Sequence, residues 1–180
     1  MSSTRAIILA AGESKRFDDP RGQPKCFREI GDVPILEAMA ARLKRFHTVI
    51  VINENWPLKY QQRVKRLAPT IVLVEPGRNV GHSMAEGLRD NDSSAFIFNA
   101  DNFIPPKARL WLPSPGTVVF DPWEWITIWH AFPWWADHLE AVCNDRADYL
   151  TGDHVPCYIR RTGWINVNRE EDLARAKTLA

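Results

Sequence analysis

Four short apolar runs occur in the first hundred residues of the chain, and each is bounded by polar residues. They read RAIILA, TVIVIN, TIVLVE and AFIFNA, at residues 5–10, 48–53, 70–75 and 95–100. Runs of this length that are rich in β-branched and aromatic residues are typical of strands buried on both faces of a parallel sheet. The pattern therefore predicts four buried, parallel strands.

Stretches with a helical repeat of apolar residues separate these runs. They cover residues 34–46, 58–68 and 83–91. The first places on one face Ile35, Met39, Leu43 and Phe46. The resulting β-α-β-α-β-α-β order predicts an α/β fold with right-handed crossovers: an open, mainly parallel, Rossmann-like sheet between two helical layers.

Such sheets bind ligands at the carboxyl ends of their strands. The residues that fall at or just after predicted strand ends, on that same edge, are Gly12, Asn53, Glu75 and Asp101. We therefore expect the functional site at this edge.

The stretch 104–162 has a different character and carries six of the eight tryptophans. We expect strands at 117–121 and 125–129, a helix over roughly 136–150, and a strand at 155–159. A closing helix is expected over 168–180, with Asn168 as its N-cap. The tryptophans leave three interpretations open: packing in the core or a homodimer interface, a stacking wall for a ligand, and a cation–π site.

Bulk composition narrows the class of protein. The length of 180 residues favours one domain, 1–180. The formal net charge is +1, so the protein as a whole has no strong electrostatic attraction to nucleic acid or acidic membranes. Three widely spaced cysteines indicate neither a disulfide framework nor a zinc site, and no apolar run is long enough for a membrane span. We expect a cytoplasmic protein.

A cationic loop directly follows the first apolar run, and such a loop suits an anion. The small residues Ala10, Ala11 and Gly12 let the backbone pass close to a flat ligand such as a base. Arg16 and Lys25 supply positive charge where a triphosphate would lie. The loop contains neither the GxxxxGK[ST] of Walker loops nor the GxGxxG of dinucleotide-binding folds. ATPase and dehydrogenase activities therefore lose their main sequence support.

The stretch LAAGESKRF…PK, at 9–25, resembles the signature L-A-A-G-x-[GS]-x-R…P-K of the nucleotidyltransferases that make nucleotide-activated sugars, alcohols and cofactors. Residues 75–88 are similar to the family's base-contacting loop, and residues 97–103 to its strand that ends in a metal-binding aspartate. WINVNREEDLARA, at 164–176, is similar to the closing N-x-N-[TR]-x-E-D-L segment. The resemblance is closest to the cytidylyltransferase and molybdenum-cofactor branches, and it implies a GT-A-like nucleotidyltransferase.

This resemblance implies roles for individual residues. As catalytic residues, Arg16 would grip the β- and γ-phosphates, Lys25 would stabilise the α-phosphate, and Asp101 would hold Mg²⁺. Asn166 would provide a second contact to the metal. The residues expected to contact the nucleotide are Leu9, Ala10, Ala11, Gly12, Glu13, Ser14, Gly77, Gly81 and Ser83. Ser83 has an equally plain alternative role as a helix cap.

The resemblance also implies a reaction between an NTP and a phosphate-bearing small molecule, with release of pyrophosphate. Residues 1–103 would bind the NTP, 104–162 would form the acceptor side, and 163–180 would close the domain. The expected acceptor contacts are Arg160, Arg161 and Asn168. CTP is the favoured donor because the chain is short for a sugar-nucleotide pyrophosphorylase.

Two other functions stay open at this point. A glycosyltransferase could use a nucleotide sugar on the same scaffold, but it would normally carry a D-x-D motif, and NADNF offers one aspartate. A domain that binds a nucleotide or a partner without catalysis would tolerate replacement of Asp101. A nucleic-acid binder is the least expected class, because the basic face is limited to one helix.

Overall fold

The computed structural model describes residues 4–12, 23–76, 79–137, 139 and 156–180. The strands in these ranges are β1 (Arg5–Leu9), β2 (Glu29–Ile30), β3 (Val33–Pro34), β4 (His47–Asn53), β5 (Thr70–Val74), β6 (Ala95–Asn99), β7 (Asn102–Phe103), β8 (Val118–Asp121), β9 (Ile126–Ala131), β10 (Cys157–Ile159) and β11 (Ile165–Asn166). The helices are α1 (Ile35–Arg42), α2 (Leu58–Val64), α3 (Val80–Arg89) and α4 (Glu170–Lys177). Single 3₁₀ turns form at Lys25–Phe27 and Pro133–Trp135.

A seven-stranded mixed sheet forms the centre of the fold, in the order β10-β8-β9-β6-β1-β4-β5. The four strands predicted from the apolar runs, β1, β4, β5 and β6, are neighbours and pair in parallel. β9 is antiparallel to β6 and to β8, and β10 pairs in parallel with β8. The predicted α/β architecture is therefore confirmed, with an added antiparallel strand pair on one side.

Helices cover both faces of this sheet, which makes the three predicted layers. Because side chains alternate along a strand, Ala6 and Ile8 of β1 pack with α1 and α2, whereas Ile7 packs with α3. All three side chains are completely buried. Helix α3 lies close over β1 at Gly87, where an added Cβ would stand 2.7 Å from Cγ2 of Ile7. The core is thus divided by the sheet, and β1 lies at its middle.

The strand register aligns the carboxyl ends of β6 and β10. Phe98 pairs with Ile128, Ile128 with Val119, and Val119 with Tyr158, so Phe98 and Tyr158 lie at the same height. The two strands run in the same direction because two antiparallel pairings and one parallel pairing link them. The residues that follow β6 and β10 therefore emerge at one edge, with those that follow β1, β4 and β5.

Several sequence expectations need correction. The short antiparallel pairs β2–β3 and β7–β11 were not predicted, because two-residue strands depend on tertiary contacts rather than on a sequence period. Trp125 was expected in a strand but lies in the turn before β9, with a φ of 53°. The predicted helix over roughly 136–150 lies outside the described residues except at Ala136, Asp137 and Leu139, which are helical.

Two predicted helix caps also differ from the structure. The residue before α4 is Arg169, not Asn168. Asn79 caps α3 by accepting a hydrogen bond from the backbone nitrogen of His82 at 2.8 Å, so Ser83 is not the cap. Within the described residues, none of the helices has both the length and the apolar character needed to cross a membrane.

Candidate active site

The end of β1 brings a small-residue backbone to the ligand edge of the sheet. The ladder continues past the strand, because Ala10 donates to the carbonyl of Val51 at 2.8 Å and Ala100 donates to that of Leu9 at 3.0 Å. Ala10 is buried and Gly12 is exposed. A Cβ added to Gly12 would meet no described atom within 4 Å. The described residues therefore leave the space beside Gly12 unfilled, as is needed for a ligand to lie against this backbone.

Lys25 is held at this edge by a hydrophobic anchor. Its 3₁₀ turn continues into Cys26 and Phe27, and both of these side chains are buried in the core. Gln23 donates from Nε2 to the carbonyl of Phe27 at 2.7 Å. Burial raises the pKa of the Cys26 thiol strongly, and the nearby charge of Asp101 raises it further. Cys26 is thus a buried anchor for the turn.

Asp101 and the closing segment meet through the short β7–β11 ladder. Asn102 pairs with Asn166, and the backbone nitrogen of Val167 donates to the carbonyl of Asp101 at 2.8 Å. Phe103 and Ile165 of the same ladder are buried against α1 and α4. This packing places residues 166–168 directly beside the end of β6.

The side chains of Lys25, Asp101 and Asn168 form one polar cluster. The Lys25 ammonium nitrogen lies 2.5 Å from Oδ2 of Asp101 and 2.9 Å from Oδ1 of Asn168. About a fifth of each of the Lys25 and Asp101 side chains is exposed. Asn168 is oriented by Asp172, whose Oδ2 accepts from the backbone nitrogens of Asn168 and Arg169, each at 3.0 Å. Two oxygen atoms therefore converge on a single cationic group.

Asn166 has different surroundings from Asn168. Its Nδ2 donates to the carbonyl of Trp125 at 3.3 Å, and its Oδ1 is buried with no hydrogen-bond partner. Asn102, which is opposite in the ladder, is completely buried, and neither of its amide atoms has a partner. Unsatisfied buried amides are rare in folded proteins, and they mark positions where water or a ligand fits. Asn102 was not among the predicted site residues.

The remaining predicted nucleotide contacts divide into two groups. Gly81 and Ser83 are buried in α3. Residues for which the structure gives no description are Glu13, Ser14, Arg16 and Gly77. The grip of Arg16 on the phosphates therefore stays a prediction.

The predicted acceptor arginines do not join the Lys25 cluster. The guanidinium carbon of Arg160 lies 4.6 Å from the ring centroid of Trp111, and that of Arg161 lies 5.2 Å from Trp123. A buried carboxylate lies beneath this segment: Oδ2 of Asp121 accepts from the nitrogen of Thr162 at 2.6 Å. Asp121 lies at the end of a predicted strand, as Asp101 does, and this position in the sequence could have marked it as a residue that organises the ligand edge.

Asp101 is the carboxylate that the described residues bring to Lys25. Among the described residues, no three histidine, cysteine, aspartate or glutamate side chains come together as a metal-binding group. A cation site that relies on several carboxylates is therefore not formed by this part of the chain. One carboxylate with amide oxygens is the donor set that the cluster offers.

Comparison with known proteins identifies the family and the fold. The profile of the MobA-like NTP transferase domain family matches residues 6–110. A search of curated proteins by sequence finds no match.

Solved structures share the fold at low identity. A UDP-glucose pyrophosphorylase complexed with UDP-glucose has a TM-score of 0.71 and 12% identity, covering 98% of this chain and 97% of that one. The inositol-1-phosphate CTP transferase from T. maritima has a TM-score of 0.68 and 12% identity, covering 99% and 95%. The CTP:phosphocholine cytidylyltransferase from Streptococcus pneumoniae has a TM-score of 0.62 and 16% identity, covering 98% of both chains. Because the family profile spans more than half of the sequence, the chain belongs to the MobA-like NTP transferase domain family and is an enzyme of the nucleotidyltransferase class.

Proposed function

We propose that the enzyme transfers a nucleoside monophosphate from an NTP to a phosphate group on a small molecule, with Mg²⁺ as cofactor. The observation that carries the proposal is the cluster of Lys25, Asp101 and Asn168 at the ligand edge of the sheet, the edge at which Gly12 follows β1. CTP is the preferred donor. Two of the similar structures are named as CTP-dependent enzymes, which supports testing CTP first.

The reaction needs little acid–base chemistry. An oxygen of the acceptor phosphate attacks the α-phosphorus, the bond between this phosphorus and the α–β bridging oxygen breaks, and pyrophosphate leaves. The acceptor phosphate is already an anion near neutral pH, so no side chain has to remove a proton from it. Repulsion between anions is the main obstacle, and positive charge held in place reduces it.

The donor atoms of the cluster fit Mg²⁺. Magnesium prefers hard oxygen ligands and takes few carboxylates from the protein. Oδ2 of Asp101 and Oδ1 of Asn168 already converge on one cationic group, the Lys25 ammonium. We propose Asp101 and Asn168 as the ligands, with the buried Oδ1 of Asn166 as a third candidate close by. When bound, the metal would neutralise phosphate charge.

Lys25 acts as the mobile charge of this site. In the free enzyme its ammonium group pairs with Asp101 and Asn168. In the substrate complex we propose that it turns toward the α-phosphate, and that the two oxygens become available to the metal. The buried turn at Cys26 and Phe27 holds the Lys25 backbone still, so only the flexible side chain has to move.

For the organisation along the chain, we propose the division that the sequence predicts. Residues 1–103 bind the NTP, 104–162 form the acceptor side, and 163–180 close one domain. Arg16 and the nucleotide contacts predicted in the first loop would complete the donor site. A cytoplasmic location and a homodimer remain further proposals, the first because the cysteines Cys26 and Cys157 are free.

The test is a panel of CTP, UTP, GTP and ATP, each with Mg²⁺, measured first by thermal shift and then by pyrophosphate release with phosphorylated acceptors. A nucleotide at a hundred times its Kd should add about 2.7 kcal/mol of stability. Lys25→Ala should lower turnover by about 10²–10³-fold, as for loss of a preorganised charge at a transition state. Lys44→Ala, which removes an exposed lysine of α1's C-terminal flank, is the matched control. If no nucleotide stabilises the wild type, the proposal is wrong.

A further inference from the structure

Three arginines stack on tryptophan rings near the end of β10, and we call them the arginine cluster. The guanidinium carbons of Arg109 and Arg160 lie 4.5 Å and 4.6 Å from the ring centroid of Trp111. That of Arg161 lies 5.2 Å from the ring of Trp123. The guanidinium carbons of Arg109 and Arg160 can therefore be no farther apart than the sum of these two distances. An arginine side chain is flexible and binds phosphate through two parallel N–H···O bonds, so two guanidinium groups on one ring can turn toward a single phosphate at the edge of that ring.

Among the described residues, the arginine cluster has no matching acid. Within the described part of the chain, no carboxylate forms an ion pair with any of its three members. All three side chains are exposed at the ligand edge. Like charges repel each other, and an anion bound between them would remove that repulsion.

The backbone beneath the arginine cluster is held rigidly. The nitrogen of Arg160 donates to the carbonyl of Phe120 at 2.9 Å. The nitrogen and the hydroxyl of Thr162 both donate to Oδ2 of Asp121, at 2.6 Å and 2.9 Å, and Asp121 is completely buried. A charged surface that needs no ordering of its backbone loses less entropy when it binds a ligand.

The Trp111 ring and the backbone of Arg109 are both held by residues 162–164. Trp111 donates from Nε1 to the carbonyl of Thr162 at 3.3 Å. Trp164, which is buried, donates from Nε1 to the carbonyl of Arg109 at 3.0 Å. Trp111 is thus the platform that brings Arg109 and Arg160 together, although 51 positions separate them in the sequence.

The arginine cluster is separate from the place of reaction. Asp101 follows β6 and Arg160 follows β10, and the register puts the ends of these strands at the same height. Three strand spacings separate β6 from β10, which corresponds to roughly 14 Å. The reacting phosphate has to lie beside Lys25 and Asp101. This spacing leaves room for a phosphate at the arginine cluster that is not the reacting one.

We infer that the arginine cluster binds a second phosphate group, at the end of the acceptor opposite to the phosphate that reacts. The acceptor is then a small molecule with two anionic ends. The anion site follows from the stacked arginines alone, whereas its assignment to the acceptor rests on the proposed function.

The anion site is tested by calorimetric titration of inorganic phosphate into Lys25→Ala, in which the reaction centre has lost its lysine. We expect saturable binding that becomes at least tenfold weaker when Arg109→Gln and Arg160→Gln are added. Arg45→Gln is the matched control, because the Arg45 guanidinium carbon also stacks on a ring, 4.9 Å from that of Phe46, but lies elsewhere. Arg160→Lys, which keeps the charge and loses the fork, should give an intermediate affinity. Equal affinity with and without the two glutamines, or no saturable binding, would overturn the anion site.

The source of the anion is tested with hexyl phosphate and hexane-1,6-diyl bisphosphate, which share one phosphate and one chain. The bisphosphate should bind the wild type at least tenfold more tightly, and the difference should vanish in Arg109→Gln/Arg160→Gln. If the cluster binds inorganic phosphate but the two probes bind equally well, it holds a free anion and the assignment to the acceptor is wrong. Pyrophosphate release is measured separately, so failure of this inference leaves nucleotidyl transfer itself intact.

Discussion

The ammonium nitrogen of Lys25 lies 2.5 Å from Oδ2 of Asp101, although 76 positions separate the two residues in the sequence. The same nitrogen contacts Oδ1 of Asn168, which comes from the other end of the chain. A lysine thus stands where two oxygen atoms converge, and this is the position that we assign to a metal ion. In the free enzyme, lysine and metal compete for the same oxygens.

This competition predicts an unusual effect of Lys25→Ala on metal binding. Without substrates, the variant should bind Mn²⁺ more tightly than the wild type, because Asp101 and Asn168 no longer have to release an ammonium group. Electron paramagnetic resonance of free Mn²⁺ measures the affinity directly and needs no turnover. Asp101→Asn should reverse the gain in the Lys25→Ala background. Unchanged Mn²⁺ affinity in Lys25→Ala would separate the metal from this cluster.

Asn168 and Asn166 are predicted to differ in their effects. Asn168→Ala removes an oxygen that faces Lys25 and Asp101, so it should raise the Mg²⁺ concentration needed for half-maximal pyrophosphate release by about tenfold or more. Asn166→Ala removes a hydrogen bond to the carbonyl of Trp125 and should have the smaller effect on Mg²⁺ dependence. Magnesium titrations of the two variants under the same conditions make the comparison. A larger effect for Asn166 would return the metal contact to the residue that the sequence motif favoured.

The different surroundings of these asparagines show what the sequence could predict. The strands β1, β4, β5 and β6 were predictable because each is a buried apolar run, and Asp101 was predictable because it follows such a run. The choice between Asn166 and Asn168 depends on the two-residue ladder β7–β11, which has no sequence period of its own. The stacking of Arg109 and Arg160 on Trp111 was hidden for the same reason, since their proximity depends on how residues 104–111 pack on the closing segment.

Gly12→Ala is predicted to weaken nucleotide binding without a loss of stability. The added methyl group would meet no described protein atom within 4 Å, so the free energy of unfolding should change by less than about 0.5 kcal/mol. A base that lies against this backbone would meet the methyl group, and the Kd of the nucleotide should rise at least tenfold.

Gly87→Ala is the contrasting variant, because its Cβ would stand 2.7 Å from Ile7 in the core. That variant should lose about 1–3 kcal/mol of stability. Denaturant unfolding measures the free energy of unfolding of both variants, and nucleotide titration measures their Kd.

His130 is predicted to make stability depend on pH. Its ring lies 3.1 Å from the carbonyl of Pro113 and 2.9 Å from the hydroxyl of Ser94, and burial lowers its pKa below the ordinary value of 6.5. The folded protein therefore holds the neutral ring, whereas the unfolded chain takes up a proton near pH 6.5. The contribution of His130 is fully present above that pH, and it is lost as the pH falls from 6.5 through the lowered pKa of the folded state. Urea unfolding of wild type and His130→Gln between pH 7.5 and pH 5 measures it, with the variant also reporting the background from the carboxylates. The wild type should lose more stability over this range than the variant does, and parallel pH profiles would show that His130 is protonated as easily in the folded protein as in the unfolded chain.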